Sequence, residues 1–320
     1  MPDWTIYADE LHEGDWFKEL HPRLADAAEE EITGAVERNP QLEGVLLYDR
    51  PDIVLTDSSD APVLVVERTI EVPSGHNVGQ RFARLAAAAE ARVPVVYFGP
   101  YVARKHGGET AGPRYMNLRL FAALDQVAKV NASAVTCINW PVDDHFEIVR
   151  DPSKDDRMRA YLDLFFEAYD SRHQDDVNEA IMRSDFEAHQ IEERRRFAAT
   201  LSRAGDYDSP PSSVAVQPGT VAARTTGAAD LAEYTEAVVY SVGMRYIRSD
   251  PYTGMAMLYR YLYVLGADVE RALVLCFPHI TVEMWRDAAR SGRRKDVRLF
   301  RIAADGILFS DGVYLSRDEL

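Results

Sequence analysis

Two short apolar runs, Ile53-Val54-Leu55 and Val63-Leu64-Val65-Val66, are separated by Asp57-Ser58-Ser59-Asp60 and bordered by acids at Asp52 and Glu67. Valine, isoleucine and leucine in runs this short suit buried strands, and the Asp/Ser cluster between them is a turn signal. The segment therefore predicts an antiparallel pair over Asp52–Leu55 and Pro62–Ile70. Neighbouring antiparallel strands alternate side chains between two faces, which places Asp52 and Glu67 on one face within reach of a single cation. By the same period Glu67, Thr69 and Glu71 share a face, while Arg68 and Ile70 point away. Two hard oxygen donors on adjacent strands suit Mg²⁺, with Mn²⁺ as a substitute, because such an ion takes one or two carboxylates and keeps several waters. The carbonyl of Arg68 is a further candidate ligand.

Around this pair the sequence predicts an ordered series of elements. A helix is expected from His21-Pro22 to about Asn39, since proline suits a first helical turn. A strand is expected at Gly44–Tyr48. A helix from about Val78 to Arg92 follows the break at Gly75-His76-Asn77, with Asn77 and Gln80 at capping-box spacing. Next come a strand at Val93–Phe98, a helix at 116–130 and a strand at Ala134–Trp140. The order α-β-β-β-α-β, then α-β, predicts a mixed sheet with helices on both faces, an α/β fold.

Residues 155–203 carry helical periodicity in Met158, Tyr161, Leu162, Phe165 and Phe166. The Ser/Pro/Gly-rich stretch 205–227 is expected to be a linker or long loop. A smaller α+β unit is expected over 228–320: helices near 229–243, 254–266 and 281–291, a strand at Ala272–Phe277, and a closing hairpin turned at Asp305-Gly306, with Asp311-Gly312 as a second candidate turn. A faint repeat is legible as well. Gly75 and Gly254 each precede an arginine by six residues, Arg81 and Arg260, on helices leading to Phe98-Gly99-Pro100 and Phe277-Pro278. The second copy lacks the carboxylate pair.

The formal net charge of the 320-residue chain is -16, which argues against a protein that coats nucleic acid non-specifically but leaves room for a local basic groove. Basic residues concentrate at 194–203 and 286–301. There is no apolar run long enough for a transmembrane helix, and the acidic N-terminus has no signal-peptide pattern, so a cytoplasmic protein without membrane association is expected. Cys137 and Cys276 sit in apolar runs and are expected to be buried, reduced thiols.

Pro51-Asp52, followed by Glu67-x-Thr69 inside α-β-β-β-α-β, resembles the PD-(D/E)XK nuclease superfamily, with its restriction-endonuclease-like fold, over residues 20–140. The resemblance implies a Mg²⁺-dependent endodeoxyribonuclease of the type II restriction kind, acting on double-stranded DNA, commonly as a homodimer. It implies a nuclease-like domain over 1–204 and assigns Asp52 and Glu67 to the metal. The family lysine falls at Thr69, which can hydrogen-bond a water but carries no charge. Glu71, Gln80, Arg81 and Lys105 are candidates to compensate, Arg81 foremost, because the helix after the third strand faces the site in this family. A second implied role is a catalytically idle member of the fold, serving as a DNA- or protein-binding partner in a defence or repair complex.

Candidate DNA contacts lie elsewhere too. His76 and Gln80 flank the expected approach of a substrate. Arg245 and Arg248 stand in a loop rich in arginine and tyrosine, types that read guanine edges and stack on bases. Arg293, Arg294 and Lys295 belong to the basic 286–301 cluster and suit phosphate neutralisation. Against each stands a structural role: a cap for Gln80, core packing beside the loop, a solvated helix end for the cluster. Arg194, Arg195 and Arg196 are expected to pair with acids on the surface of their own helix.

Overall fold

A computed structural model describes residues 3–73, 77–104, 112–171, 174–249 and 251–320. The chain forms two compact units. One comprises Met1–Ser74, Ala83–Asn117 and Val127–Ser202; the other comprises Gly75–Phe82, Leu118–Gln126 and Arg203–Leu320. No described helix is long and apolar enough to cross a membrane.

The first unit begins with β1 (Trp4–Ala8), α1 (Leu11–Glu19), β2 (Ala28–Glu31) and α2 (Ala35–Arg38). There follow β3 (Ile53–Asp57), β4 (Pro62–Arg68), α3 (Asn77–Glu90, its residues up to Phe82 counted with the second unit), β5 (Val95–Gly99), the short pair β6 (Val102–Ala103) and β7 (Arg114–Tyr115), α4 (Leu118–Asn131, its residues up to Gln126 likewise counted with the second unit) and β8 (Val135–Asn139). Helices α5 (Asp156–Ser171), α6 (Gln174–Met182) and α7 (Asp185–Thr200) complete it. Its sheet has the order β2-β1-β3-β4-β5-β8. The β1-β3-β4 strands form an antiparallel meander, and β5 and β8 add in parallel after helical crossovers. The predicted mixed α/β architecture with flanking helices is present.

The β3–β4 turn forms as its residues dictate. Asp57 Oδ1 accepts hydrogen bonds from the Ser59 and Ala61 amides at 2.8 and 3.2 Å, and Asp60 takes the left-handed conformation that aspartate tolerates. One face of the sheet packs Ile6, Ile53, Leu55, Leu64, Val66 and Phe98 against Phe17, Met158, Leu162 and Phe165. The 155–203 segment is helical as expected, and its periodic residues form a core face.

Several expected elements are corrected. The helix predicted over 21–39 is a single 3-10 turn at Pro22–Leu24, then edge strand β2, then the four residues of α2. Left-handed Gly34 breaks the segment, and the acids of β2 find cations beyond it: Glu29 meets Lys18 at 2.8 Å and Glu30 meets Arg38 at 3.0 Å. Gly44–Tyr48 is not a strand. Leu46 donates to the Leu42 carbonyl at 3.0 Å, and the buried Val45 and Tyr48 lie at helical spacing. The third strand of the meander is β1, from the acidic N-terminus.

The second unit holds β9 (Val214–Pro218), α8 (Gly219–Thr226), β10 (Glu236–Ser241), α9 (Tyr252–Tyr263), β11 (Arg271–Phe277), α10 (Val282–Ala289), α11 (Lys295–Ala303), β12 (Gly306–Phe309) and β13 (Tyr314–Ser316). Its sheet order is β13-β12-β11-β10-β9, with β10, β11 and β12 parallel and the edges antiparallel. Residues 205–227 are therefore not a linker, since β9 and α8 occupy most of them. The helix predicted at 229–243 is a 3-10 turn followed by β10, whose Val238-Val239-Tyr240 prefer a strand once β11 is alongside. The closing hairpin turns at Asp311-Gly312, with Gly312 left-handed, while Gly306 lies inside β12.

Candidate active site

The strand register decides the geometry of the carboxylate pair. Ile53 lies opposite Val66 and Val54 opposite Val65, so one step further Asp52 faces Glu67 on the same side of the sheet. Both are buried: Asp52 is 6% exposed and Glu67 0%. A charged pair at that depth requires a partner.

The partner is Arg84, in the middle of α3. This helix connects β4 to its parallel neighbour β5, and its buried Ala86, Ala87, Ala88 and Ala89 permit a close approach to the sheet. Arg84 Nη1 donates to Glu67 Oε1 at 2.9 Å and stands 3.4 Å from Asp52 Oδ1, while Nε is 3.6 Å from Asp49 Oδ2. One nitrogen touches both carboxylates. The position expected for Arg81 at the pair is thus filled one turn later by a residue the sequence reading passed over. The two arginines stand three apart on one helix, and helical spacing alone does not select between them.

The other oxygen of Asp52, Oδ2, accepts the backbone amide of Arg68 at 2.6 Å, which ties the end of β4 to the start of β3. As the alternation predicts, the Arg68 side chain goes to the opposite face. Its guanidinium stacks on Trp16 and Trp140 at 4.2 and 5.2 Å from the ring centroids. Burial lowers its pKa, opposed by Asp155, Glu13 and Asp52.

Glu13, on the first turn of α1, is a member of this neighbourhood that the sequence reading missed. Its carboxyl is pushed up to about 7, mainly by burial and next by the charge of Asp52, with Arg68 opposing. A carboxyl that holds its proton more tightly in the folded state stabilises the fold at low pH. That contribution is full below the unfolded carboxylate range of about 4.3 and is lost as pH rises through about 7. Glu13→Gln is expected to flatten the pH dependence of the unfolding midpoint across that window and to melt above wild type on its alkaline side. Parallel melting profiles for the two proteins would refute the coupling.

Thr69 stays on the face of Glu67, its Cγ2 beside Gly99 next to Tyr97, as the alternation predicts, but Glu71 does not extend that face. Strand β4 ends at Arg68, and the Thr69 hydroxyl accepts the Glu71 amide at 3.1 Å in a local turn. Thr69 is buried and Glu71 exposed. Gln80 and Arg81 are half-buried on the first turns of α3. His76 and Lys105 lie outside the described residues, as does the side chain of the cap expected at Asn77.

In the second unit, Arg245 and Tyr246 are exposed. Arg248 lies over the rings of Tyr246 and Tyr252 and donates to both hydroxyls. Arg294 is engaged internally, by Asp296 at 2.5 Å and by the Ile247 carbonyl at 2.8 Å. Arg293 and Lys295 are exposed, Lys295 at the first position of α11. The basic 286–301 cluster is therefore in part a structural brace. Arg194, expected on the surface, is buried beside Glu187 and Cys137, whereas Arg196 pairs with Glu192 at 3.1 Å as expected. Cys137 is buried as expected, whereas Cys276 is only half-buried, and neither is in a disulfide.

Among the described residues no three His, Cys, Asp or Glu side chains gather as a metal site. Asp52 and Glu67 come together as a pair of carboxylates, the number that Mg²⁺ commonly takes from a protein. Compared with known proteins, the chain matches no family model, no curated protein and no solved structure.

Proposed function

We propose that this chain is a Mg²⁺-dependent endodeoxyribonuclease, of the restriction-endonuclease-like kind, in which Asp52 and Glu67 hold the cation. The observation that carries this reading is the convergence of both carboxylates, from facing positions on β3 and β4, onto the single nitrogen Nη1 of Arg84. A divalent ion held by the same two acids would displace that nitrogen from between them, leaving Arg84 as a neighbouring charge. The β1-β3-β4 meander, the α3 crossover and parallel β5 support the fold reading, with one departure: helix α1 follows the first strand instead of preceding it.

When bound, Mg²⁺ supplies Lewis acidity at the scissile phosphate. The chain does the rest. Asp52 is oriented by the Arg68 amide, so its Oδ1 is held toward the Glu67 side. Arg84 provides, next to the pair, the positive charge that the family places on a lysine and that Thr69 cannot supply. The exposed Arg245 and Arg293, with Tyr246, offer charge and a stacking surface for double-stranded DNA. A homodimer belongs to the same reading.

Incubation of the purified protein with mixed genomic and plasmid DNA in Mg²⁺ or Mn²⁺ is expected to give cleavage that Asp52→Ala and Glu67→Ala abolish. No cleavage of modified or unmodified DNA by the wild type would refute the activity. One observation favours a second reading, a catalytically idle binding partner: Arg84 already satisfies the pair in the way a structural ion pair would. Calorimetry separates the two, because an idle module shows no Mn²⁺ affinity that depends on Asp52.

A further inference from the structure

The two sheets repeat one plan. In the first unit, β3 pairs antiparallel with β4, α3 leads to parallel β5, and α4 leads to parallel β8. In the second, β9 pairs antiparallel with β10, α9 leads to parallel β11, and α10 and α11 lead to parallel β12. The plan differs at one connection: β3 joins β4 by a tight turn, whereas α8 intervenes between β9 and β10. Strand–helix–strand units are common, so the plan alone proves little. Residue positions are more demanding.

Strand β4 ends one residue before Thr69, whose amide donates to Phe98 of β5 at 2.9 Å; β10 ends one residue before Val242, whose amide donates to Cys276 of β11 at 2.8 Å. The penultimate residues Glu67 and Tyr240 are therefore equivalent. Glu67 faces Asp52 across the antiparallel pair, and Tyr240 faces Val214. Each crossover helix has glycine as its third residue, Gly79 in α3 and Gly254 in α9. Five residues on are Arg84 and Tyr259. The side chains then close the comparison independently: Glu67 meets Arg84 at 2.9 Å, and the Tyr240 and Tyr259 rings meet edge to face at 4.8 Å. The sequence repeat pairing Gly75 with Gly254 and Arg81 with Arg260 is thus out of register by four residues on the helix.

We infer that the second unit is a degenerate copy of the carboxylate-bearing core, with Asp52, Glu67 and Arg84 replaced by Val214, Tyr240 and Tyr259, so that each chain carries one such centre. Deepening the nuclease reading, on which this consequence rests, a chain acting alone breaks one DNA strand per encounter, and the second unit contributes no cut.

The equivalence is tested without reference to activity. Tyr240→Glu and Tyr259→Arg are each expected to lower the melting temperature of the full chain, and the double variant to recover at least half of the combined loss, because the copy retains the geometry of the Glu67–Arg84 pair. Additive losses overturn the inference. Should the double variant not fold, the reverse transplant decides: Asp52→Val, Glu67→Tyr and Arg84→Tyr together are expected to melt above Glu67→Tyr alone, and a triple variant melting no higher overturns it. For the consequence, supercoiled plasmid under conditions where sedimentation shows a monomer is expected to give open circles before any linear form. Linear product without an open-circle intermediate overturns the single centre. Absence of any cleavage overturns the nuclease reading, and the melting experiments then decide the inference.

Discussion

Arg84→Met is expected to cost about 3–5 kcal/mol of stability, the range found when one partner of a buried ion pair is removed. Methionine fills nearly the same volume and prefers helix, so neither a cavity nor propensity accounts for a loss of that size. The cost arises because Glu67 is 0% exposed and Asp52 6%, and the nitrogen they share is removed. Removing all three charges together should be far milder. The triple variant Asp52→Asn, Glu67→Gln, Arg84→Met is expected to recover most of the loss, since a neutral amide is much cheaper to bury than a carboxylate. Denaturant unfolding followed by tryptophan fluorescence reports on the relevant unit: Trp4, Trp16 and Trp140 lie in it, and Trp285→Phe removes the signal of the other. A single variant within about 1 kcal/mol of wild type would show that Arg84 is dispensable to the pair, contrary to the buried geometry. The same variant informs function. If Arg84 supplies the charge missing at Thr69, Arg84→Lys retains a cation and should keep more cleavage than Arg84→Met at matched folded fraction.

The carboxylate pair was legible in the sequence because strand alternation and a strong turn determine it almost locally. Ile53–Leu55, Asp57–Asp60 and Val63–Val66 act within a few residues of one another, and the register follows from the turn. Arg84 was not legible. Arg81 and Arg84 share a helix and a residue type, and the choice depends on how α3 is rotated over the sheet, a long-range packing outcome. Glu13 was hidden for a related reason: its neighbourhood forms only when β1 pairs with β3, and β1 was concealed in a segment read for its acidity. The errors at 21–39 and 229–243 share that origin. In each, a weak local preference was overruled by an edge strand, a left-handed glycine or a parallel neighbour.

The second large expected effect lies at Gly254. A Cβ there would stand 2.1 Å from the Gly79 carbonyl oxygen and 2.4 Å from its carbon, and one on Gly79 would stand 2.5 Å from the Met255 amide nitrogen. Both glycines fall within the second unit, where the first residues of α3 meet the start of α9 backbone to backbone. Backbone cannot rotate aside as a side chain can, so the helices must separate, and Phe82, packed on Tyr261 at 5.6 Å, must move with them. Replacing a mid-helix glycine ordinarily gains up to about 1 kcal/mol in propensity, less for a β-branched residue. Overpacking of this kind costs about 3 kcal/mol, so the clash wins. Gly254→Val is therefore expected to melt well below wild type, and Gly79→Ala to lose stability in the same direction by a smaller amount. Gly243→Ala is the control: it is in the same unit and exposed, and its added Cβ meets nothing within 4 Å, so a change inside about 0.5 kcal/mol is expected. If Gly254→Val and Gly243→Ala melt alike, the close approach of the two helix starts is not part of the folded protein. If only Gly254→Val falls, the glycine is required for contact rather than for flexibility, because α9 is helical through that position.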